Sequence, residues 1–161
     1  MCYQIMKQHS LNTVHIEIDN GTHELDNVIQ IINGGIQRVY RSMIQVFVKG
    51  SDKAVELYKK AFDAELVSSY PHSDGTFKHA ELNVYGQILA ISEALENEER
   101  ITGTTMQFCL HFGKDKEEIV QKAYDTLKDD AKILCPLGPC NFSALMVDLI
   151  DKYGVRWCIF A

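Results

Sequence analysis

The chain of 161 residues is long enough for one well-buried domain or two small modules sharing a core, and too short for two large independent domains. A hydrophobic fraction of 46% and a charged fraction of 24% lie near globular averages, which excludes a disordered, collagen-like or coiled-coil chain. The net charge is -6, with acidic and basic residues interspersed and no basic stripe; duplex binding draws on clustered Lys and Arg, so no nucleic-acid partner is expected.

Met1 to Ser10 lack a charged segment followed by a continuous apolar run, and no later stretch approaches the length needed to span a bilayer. The expectation is a cytoplasmic chain with no membrane partner. The five cysteines, Cys2, Cys109, Cys135, Cys140 and Cys158, form an odd set without CxxC spacing, which fits reduced thiols better than a disulfide framework. Cys135 and Cys140 flank a Pro-Leu-Gly-Pro turn where a zinc site could start, but two further ligands at suitable spacing are missing and small buried thiols are the preferred reading.

In chain order, Thr13 to Asp19 alternates Val14, Ile16 and Ile18 with His15, Glu17 and Asp19, then meets Asn20-Gly21, a hairpin-turn dipeptide. An exposed strand face explains the His15, Glu17, Asp19 triplet without invoking a metal. A second Asn-Gly at 33–34 separates VIQII from GIQRVY and favours another hairpin, although Leu25, Val28, Ile29 and Ile32 also satisfy a helical face. Residues 1–42 are therefore predicted as an N-terminal β extension of one or more hairpins.

From Met43 to Lys49 the run MIQVFVK predicts a strand, ending at Gly50-Ser51, where Ser51 is expected to cap a helix. Ala54, Val55, Leu57, Tyr58, Ala61 and Phe62 recur at helical spacing through Phe62, with Lys53, Glu56, Lys59 and Lys60 on the other side. Strands are predicted over Glu65 to Pro71, Phe77 to Tyr85 and Gln87 to Ser92, separated by His-Ser-Asp-Gly and by Gly86. Residues 43–93 thus read βαβββ.

After an acidic, loop-like stretch from Glu93 to Gly103 the pattern restarts with Thr104 to Phe112, a strand carrying Gln107, Cys109 and His111 on one face. Asp115 and Glu118 resemble a capping box, and Ile119, Val120, Ala123, Tyr124 and Leu127 form the stripe of a second helix. Strands follow over Ala131 to Leu137, Phe142 to Leu149 and Val155 to Phe160, with a Gly-Pro break at 138–139. Residues 104–161 read βαβββ again. Gly50-Ser51-Asp52-Lys53 and Gly113-Lys114-Asp115-Lys116 open the two helices, and Ala61-Phe62-Asp63 and Ala123-Tyr124-Asp125 lie in their last turns, which supports an internal repeat.

Tandem βαβββ units resemble the vicinal oxygen chelate superfamily, which includes glyoxalase I, extradiol dioxygenases and antibiotic-resistance proteins. Within it the likeness is to the PhnB-like branch. The residues that carry it are Ala54, Tyr58 and Phe62, then His79-Ala80-Glu81-Leu82, Pro136-Leu137, and the terminal segment DKYGVRW with Asp151, Gly154, Val155, Arg156 and Trp157. They lie within residues 43–161; the extension stands outside. The implied fold class is α+β, with the tandem modules forming a cupped mixed sheet of glyoxalase/bleomycin-resistance type whose inner face binds a small-molecule ligand. The implied assembly is a homodimer.

Metal-dependent members hold a divalent ion with His, Gln or Glu side chains from the first and last strands of each module. The ion polarises a substrate oxygen beside the reacting carbon. Matching the motifs places those positions at Met43 or Gln45, then Ala90, Gln107 and Cys158, of which only Gln107 is an ordinary ligand; alanine has no donor and methionine suits hard ions poorly. No metal or other cofactor is therefore expected. Some PhnB-like sequences carry a demethylubiquinone methyltransferase label, but this chain has no strand, Gly-rich loop and helix unit for a nucleotide-like methyl donor.

The candidate ligand-binding residues are Gln45, His79, Ser92, Gln107, His111, Phe142, Arg156 and Cys158. His79, mid-strand beside a small alanine, is the candidate for proton transfer near neutral pH. Gln107 and His111 could orient a polar ligand or be solvated sheet residues, and Phe142 could wall the cleft. Arg156 could lower the Cys158 pKa and hold an anion, but a salt-bridged Arg156 beside an inert thiol is preferred. Trp157, on the opposite face, is expected to pack under a helix. The leading expectation is a metal-independent binder of a small, partly apolar molecule. The alternatives are a glyoxalase- or dioxygenase-type metalloenzyme and an interaction protein that lends its N-terminal strand to a partner's sheet edge; whether the chain is an enzyme stays open.

Overall fold

The computed structural model describes residues 5–6, 15–16, 41–97 and 101–161. Two compact units result, residues 1–40 and 41–161. In the first, β1 (Ile5–Met6) pairs antiparallel with β2 (His15–Ile16). The predicted strand at Thr13 to Asp19 contains β2, whereas its partner at Ile5–Met6 carries no turn signal and was not anticipated. Both Asn-Gly hairpins lie outside the described residues.

In the second unit the elements run β3 (Ile44–Val48), α1 (Ser51–Phe62), β4 (Glu65–Pro71), β5 (Phe77–Val84), β6 (Gln87–Glu93), β7 (Phe108–His111), α2 (Glu117–Leu127), β8 (Lys132–Cys140), β9 (Ser143–Ile150) and β10 (Arg156–Phe160). They build two four-stranded sheets of identical plan, β3-β6-β5-β4 and β7-β10-β9-β8. In each, the first strand runs parallel to the last and the remaining pairs are antiparallel. This is the repeated βαβββ pattern, in an α+β fold.

Alternation in the strands assigns one face of each sheet to the helices. Val48, Leu82, Val84, Leu89 and Ile91 from the first sheet, and Phe108, Leu110, Val147, Leu149, Trp157 and Ile159 from the second, join the buried stripes of α1 and α2 in one core cluster. Burying period-2 strands against period-3.6 helices is what both sets of apolar spacings demand.

Several local expectations are corrected. Ser51 does not cap α1: its hydroxyl accepts a hydrogen bond from the Phe77 amide at 2.8 Å. The amides of Gly50 and Ser51, left without partners inside the helix, donate instead to the Glu93 carboxylate at 2.9 and 2.7 Å, a charge-assisted cap delivered from β6 to the positive end of the helix. The Asp115–Glu118 capping box does not form, because Asp115 turns left-handed (φ 62°) and α2 opens after Lys116 without a side-chain cap.

The strand expected from Thr104 is shorter, starting at Phe108; the Thr104 carbonyl accepts from Arg156 Nη1 at 2.7 Å. No break occurs at Gly138-Pro139, since β8 continues to Cys140 with irregular register. An edge strand tolerates the missing amides of Pro136 and Pro139 because one side of its ladder has no neighbour to serve.

Candidate functional site

The terminal segment DKYGVRW builds a joint, and its chemistry is that of a hydrogen-bond hub. Asp151 is buried, and its carboxylate accepts from the Tyr58 hydroxyl, Trp157 Nε1 and the Tyr153 amide, each at 2.8 Å, and from the Val155 amide at 3.0 Å. Tyr58 comes from α1 in the first module, so this one carboxylate ties the two modules together. Trp157 packs against Phe62, Phe108 and Tyr58 with ring centroids 4.9, 5.1 and 5.4 Å apart. Gly154 holds φ 85°, and a Cβ there would lie 2.8 Å from Thr102 Oγ1, which is why the turn requires glycine.

The chemistry-bearing side chains lie on the faces of the sheets away from the helices. On the first sheet Gln45 pairs in register with Ala90, Ala90 with Glu81, and Tyr70 with His79, so β3, β6, β5 and β4 contribute to one surface. Gln45 Nε2 donates to Ser92 Oγ at 2.7 Å, and His79 Nε2 lies 2.9 Å from Glu81 Oε1. Arg41 forms an ion pair with the other oxygen of Glu81, a nearly buried carboxylate. The hydrogen bonds from Arg41 and His79 outweigh desolvation and hold the Glu81 carboxyl below its ordinary 4.5.

A carboxylate held low contributes stability above its ordinary value, and that contribution is lost as pH falls through the lower folded-state value. The urea midpoint of the wild type is therefore expected to fall as pH drops below about 4.5. Glu81→Gln is expected to show a smaller fall across the same window. An equally steep fall in the variant would remove Glu81 as its source.

On the second sheet Cys109, Cys158, Asp148 and Cys135 occupy one row across β7, β10, β9 and β8. Arg156 grips Asp148 with two bonds, Nε to Oδ1 at 3.1 Å and Nη2 to Oδ2 at 2.7 Å, and spends its third nitrogen on the Thr104 carbonyl. Beside them His111 stacks on Phe160 at 4.6 Å, and Phe142, 69% exposed, meets Phe160 edge-on at 5.6 Å. The Cys109 thiol donates to Gln107 Oε1 at 3.4 Å.

Burial pushes the Cys158 thiol up to about 11, and the neighbouring Cys109 and Asp148 add to the rise. Arg156 does act to lower it, as its position suggested, but its charge is largely spent on Asp148 and its effect is the smallest.

The eight sequence-derived candidates therefore fall into two groups. Gln45, His79 and Ser92 lie on the first sheet and His111, Arg156 and Cys158 on the second, with Gln107 just before β7 and Phe142 in the β8–β9 turn. A small cavity lined by Ser42, Met43, Ile44, Gln87, Ile88 and Phe108 touches both sheets yet contains none of the eight. Arg41, Glu81 and Asp148 were not singled out as site residues. Glu81 was legible as the second residue after His79 on one strand face, whereas Asp148 and Arg41 become visible only through pairing register and tertiary contact.

The family model for the Glyoxalase/Bleomycin resistance protein/Dioxygenase superfamily matches residues 41–159, and the chain belongs to that superfamily. Among solved structures it is similar to a PhnB protein from Bacillus cereus, provisionally labelled a 3-demethylubiquinone-9 3-methyltransferase. That pair is 26% identical with a TM-score of 0.65, over 74% of this chain and 98% of the other. Protein PA1353 from Pseudomonas aeruginosa shares the fold at 18% identity and a TM-score of 0.63, over 76% and 97% of the two chains. So does a mutant of the fosfomycin resistance protein FosX from Listeria monocytogenes, complexed with Mn(II) and 1S,2S-dihydroxypropylphosphonic acid, at 16% identity and 0.54, over 77% and 91%. No protein of curated function matches the chain. No helix among the described residues is long and apolar enough to cross a membrane.

Proposed function

We propose that this chain binds a small, partly apolar molecule on the helix-free faces of its two sheets, without a resident metal, as a homodimeric protein of the cytoplasm. The observation that carries the reading is the state of the four positions matched to the superfamily's metal donors. Ala90 is buried and has no donor atom. The Gln45 amide nitrogen donates to Ser92 Oγ and Gln107 Oε1 accepts from the Cys109 thiol, so the set offers at most two amide oxygens. Cys158 offers sulfur at a position where hard divalent ions take oxygen. With one position lacking a donor atom and another supplying sulfur, two neutral amide oxygens are a poor set for a hard divalent ion.

What the faces offer a ligand is aromatic wall with fixed polar points. Phe142 and the stacked His111–Phe160 pair supply the wall on the second sheet, and Phe47, 58% exposed, supplies apolar surface on the first. His79, oriented by Glu81 through Nε2, has Nδ1 without a partner among the described residues, so it can hydrogen-bond a ligand or move a proton to it. Arg156 serves as a positioning residue for Asp148 and Thr104, since all of its nitrogens are engaged.

The test pairs elemental analysis with thermal-shift titration of Ni, Zn, Mn and Fe ions, then titrates anilinonaphthalene sulfonate as a small amphipathic probe. Expected are no stoichiometric metal, no ion-dependent rise in Tm, and saturable dye binding weakened at least several-fold by His111→Ala and Phe142→Ala. A bound ligand at a hundred times its Kd adds about 2.7 kcal/mol of stability, so occupancy is readable as a Tm shift. One metal per chain with a metal-dependent Tm would overturn the reading in favour of a glyoxalase- or dioxygenase-type enzyme. Dye binding indifferent to both variants would overturn the placement of the site.

A further inference from the structure

Two thiols meet at the edge of the second sheet in a way that neither ligand binding nor packing requires. Cys109 on β7 and Cys158 on β10 are direct register partners on parallel strands, so their side chains leave the sheet on the same face. Cys109 is exposed and Cys158 half-buried, and the neighbouring Cys109 thiol is among the groups that raise the Cys158 pKa. Neighbouring strands lie about 4.7–4.9 Å apart, inside the roughly 4.4–6.8 Å window of Cα separations that a disulfide bridges.

Closing the bridge requires the Cβ atoms to approach to about 3.8 Å. β7 can supply that movement: it is a four-residue strand at the end of its sheet, bonded within that sheet to β10 alone.

We propose that Cys109 and Cys158 form a reversible dithiol–disulfide site whose oxidant is a low-molecular-weight disulfide. The exposed Cys109 thiolate attacks one sulfur of that disulfide, forming a mixed disulfide and expelling the first small thiol. The Cys158 thiolate then attacks Cys109 Sγ, forming the Cys109–Cys158 bond and expelling the second. The two protons leave with the two small thiols, the protein pair is oxidised by two electrons, and the small disulfide is reduced by two.

The two halves run at different speeds. Cys158 titrates at about 11, so little thiolate exists at neutral pH and the second step is slow, accelerating roughly tenfold per pH unit until that value is approached. A bridge that draws two sheet strands together is more easily reduced than an unstrained one, so the pair rests as a dithiol and closes when small disulfides accumulate.

The full chain is incubated with oxidised glutathione at pH 7.5 and at pH 10, quenched with acid and mapped by peptide mass spectrometry. Expected is a glutathione adduct on Cys109 at the lower pH. At the higher pH the adduct gives way to a Cys109–Cys158 crosslinked peptide pair that dithiothreitol reverses. Cys158→Ser is expected to keep the adduct at both pH values, and Cys109→Ser to leave Cys158 unmodified at pH 7.5. The site is overturned if Cys158 is modified first, if the adduct persists unresolved at pH 10, or if Cys109 crosslinks to another cysteine. The wild-type map decides the matter by itself should either serine variant fail to fold.

Discussion

Replacing Asp151 with alanine is expected to destabilise the fold by about 3–5 kcal/mol, read as a fall in the urea midpoint at unchanged slope. The carboxylate accepts four hydrogen bonds, and two of the donors, the Tyr58 hydroxyl and Trp157 Nε1, belong to side chains with 0% exposure. Truncation leaves each buried donor to bear its own desolvation, about 1–3 kcal/mol apiece, and the losses are not additive because the donors share one acceptor. Asp151→Asn removes less, since one oxygen remains, but its amide nitrogen opposes a donor. Tyr58→Phe removes one donor and leaves the carboxylate with three partners, so it is expected to cost least, about 1–2 kcal/mol.

Burial, then the charge of Asp151, hold the Tyr58 phenol well above 10.0. A raised pKa in the folded state contributes stability that is intact below the ordinary value and is lost as pH climbs beyond it. Stability is therefore expected to fall above about pH 10 in the wild type and to fall less in Tyr58→Phe. An Asp151→Ala variant within about 1 kcal/mol of wild type would mean that water or a rearranged turn takes over the acceptor role.

How much of this was readable beforehand depends on whether the signal is local. Both helices and the strands at Glu65–Pro71 and Phe77–Val84 announce themselves by period and by turn residues, because short-range alternation and long-range burial demand the same pattern there. The helix caps failed for the opposite reason. Ser51 is a good local cap, yet a glutamate from β6 takes the amides and frees the serine for Phe77, a tertiary solution that no window of adjacent residues contains. Gly138-Pro139 signals a break, and only the knowledge that β8 lies at a sheet edge converts that signal into an irregular strand.

The candidate site was half legible. The faces of His79, His111 and Cys158 follow from strand alternation, but which neighbours neutralise them depends on register across strands. Arg156 is the clearest example: a salt bridge is the preferred expectation for it, but its partner, Asp148, held by two bonds, is identified only once β9 and β10 are paired. The terminal motif, the most specific of the resemblance, proves to encode a structural hub. Asp151, Gly154 and Trp157 specify the joint between modules and leave the helix-free sheet faces to other residues.

The same joint sets the second large effect. Trp157→Ala is expected to cost about 3–5 kcal/mol through the void left among Tyr58, Phe62 and Phe108, and it deprives Asp151 of one donor as well. Trp157→Phe refills most of that volume and separates the two contributions. If packing dominates, phenylalanine recovers most of the loss; if the Nε1 bond dominates, phenylalanine remains nearly as unstable as alanine. Packing is expected to win, because the indole is completely buried against three aromatic rings while Asp151 keeps three other donors. Trp157 is the sole tryptophan, so the comparison is made by circular dichroism in urea rather than by fluorescence. A double variant with Tyr58→Phe then tests whether the modules are coupled through this corner: an interaction energy above about 0.5 kcal/mol is expected for side chains sharing one acceptor. Strict additivity would mean that each module holds its own half of the core without the other.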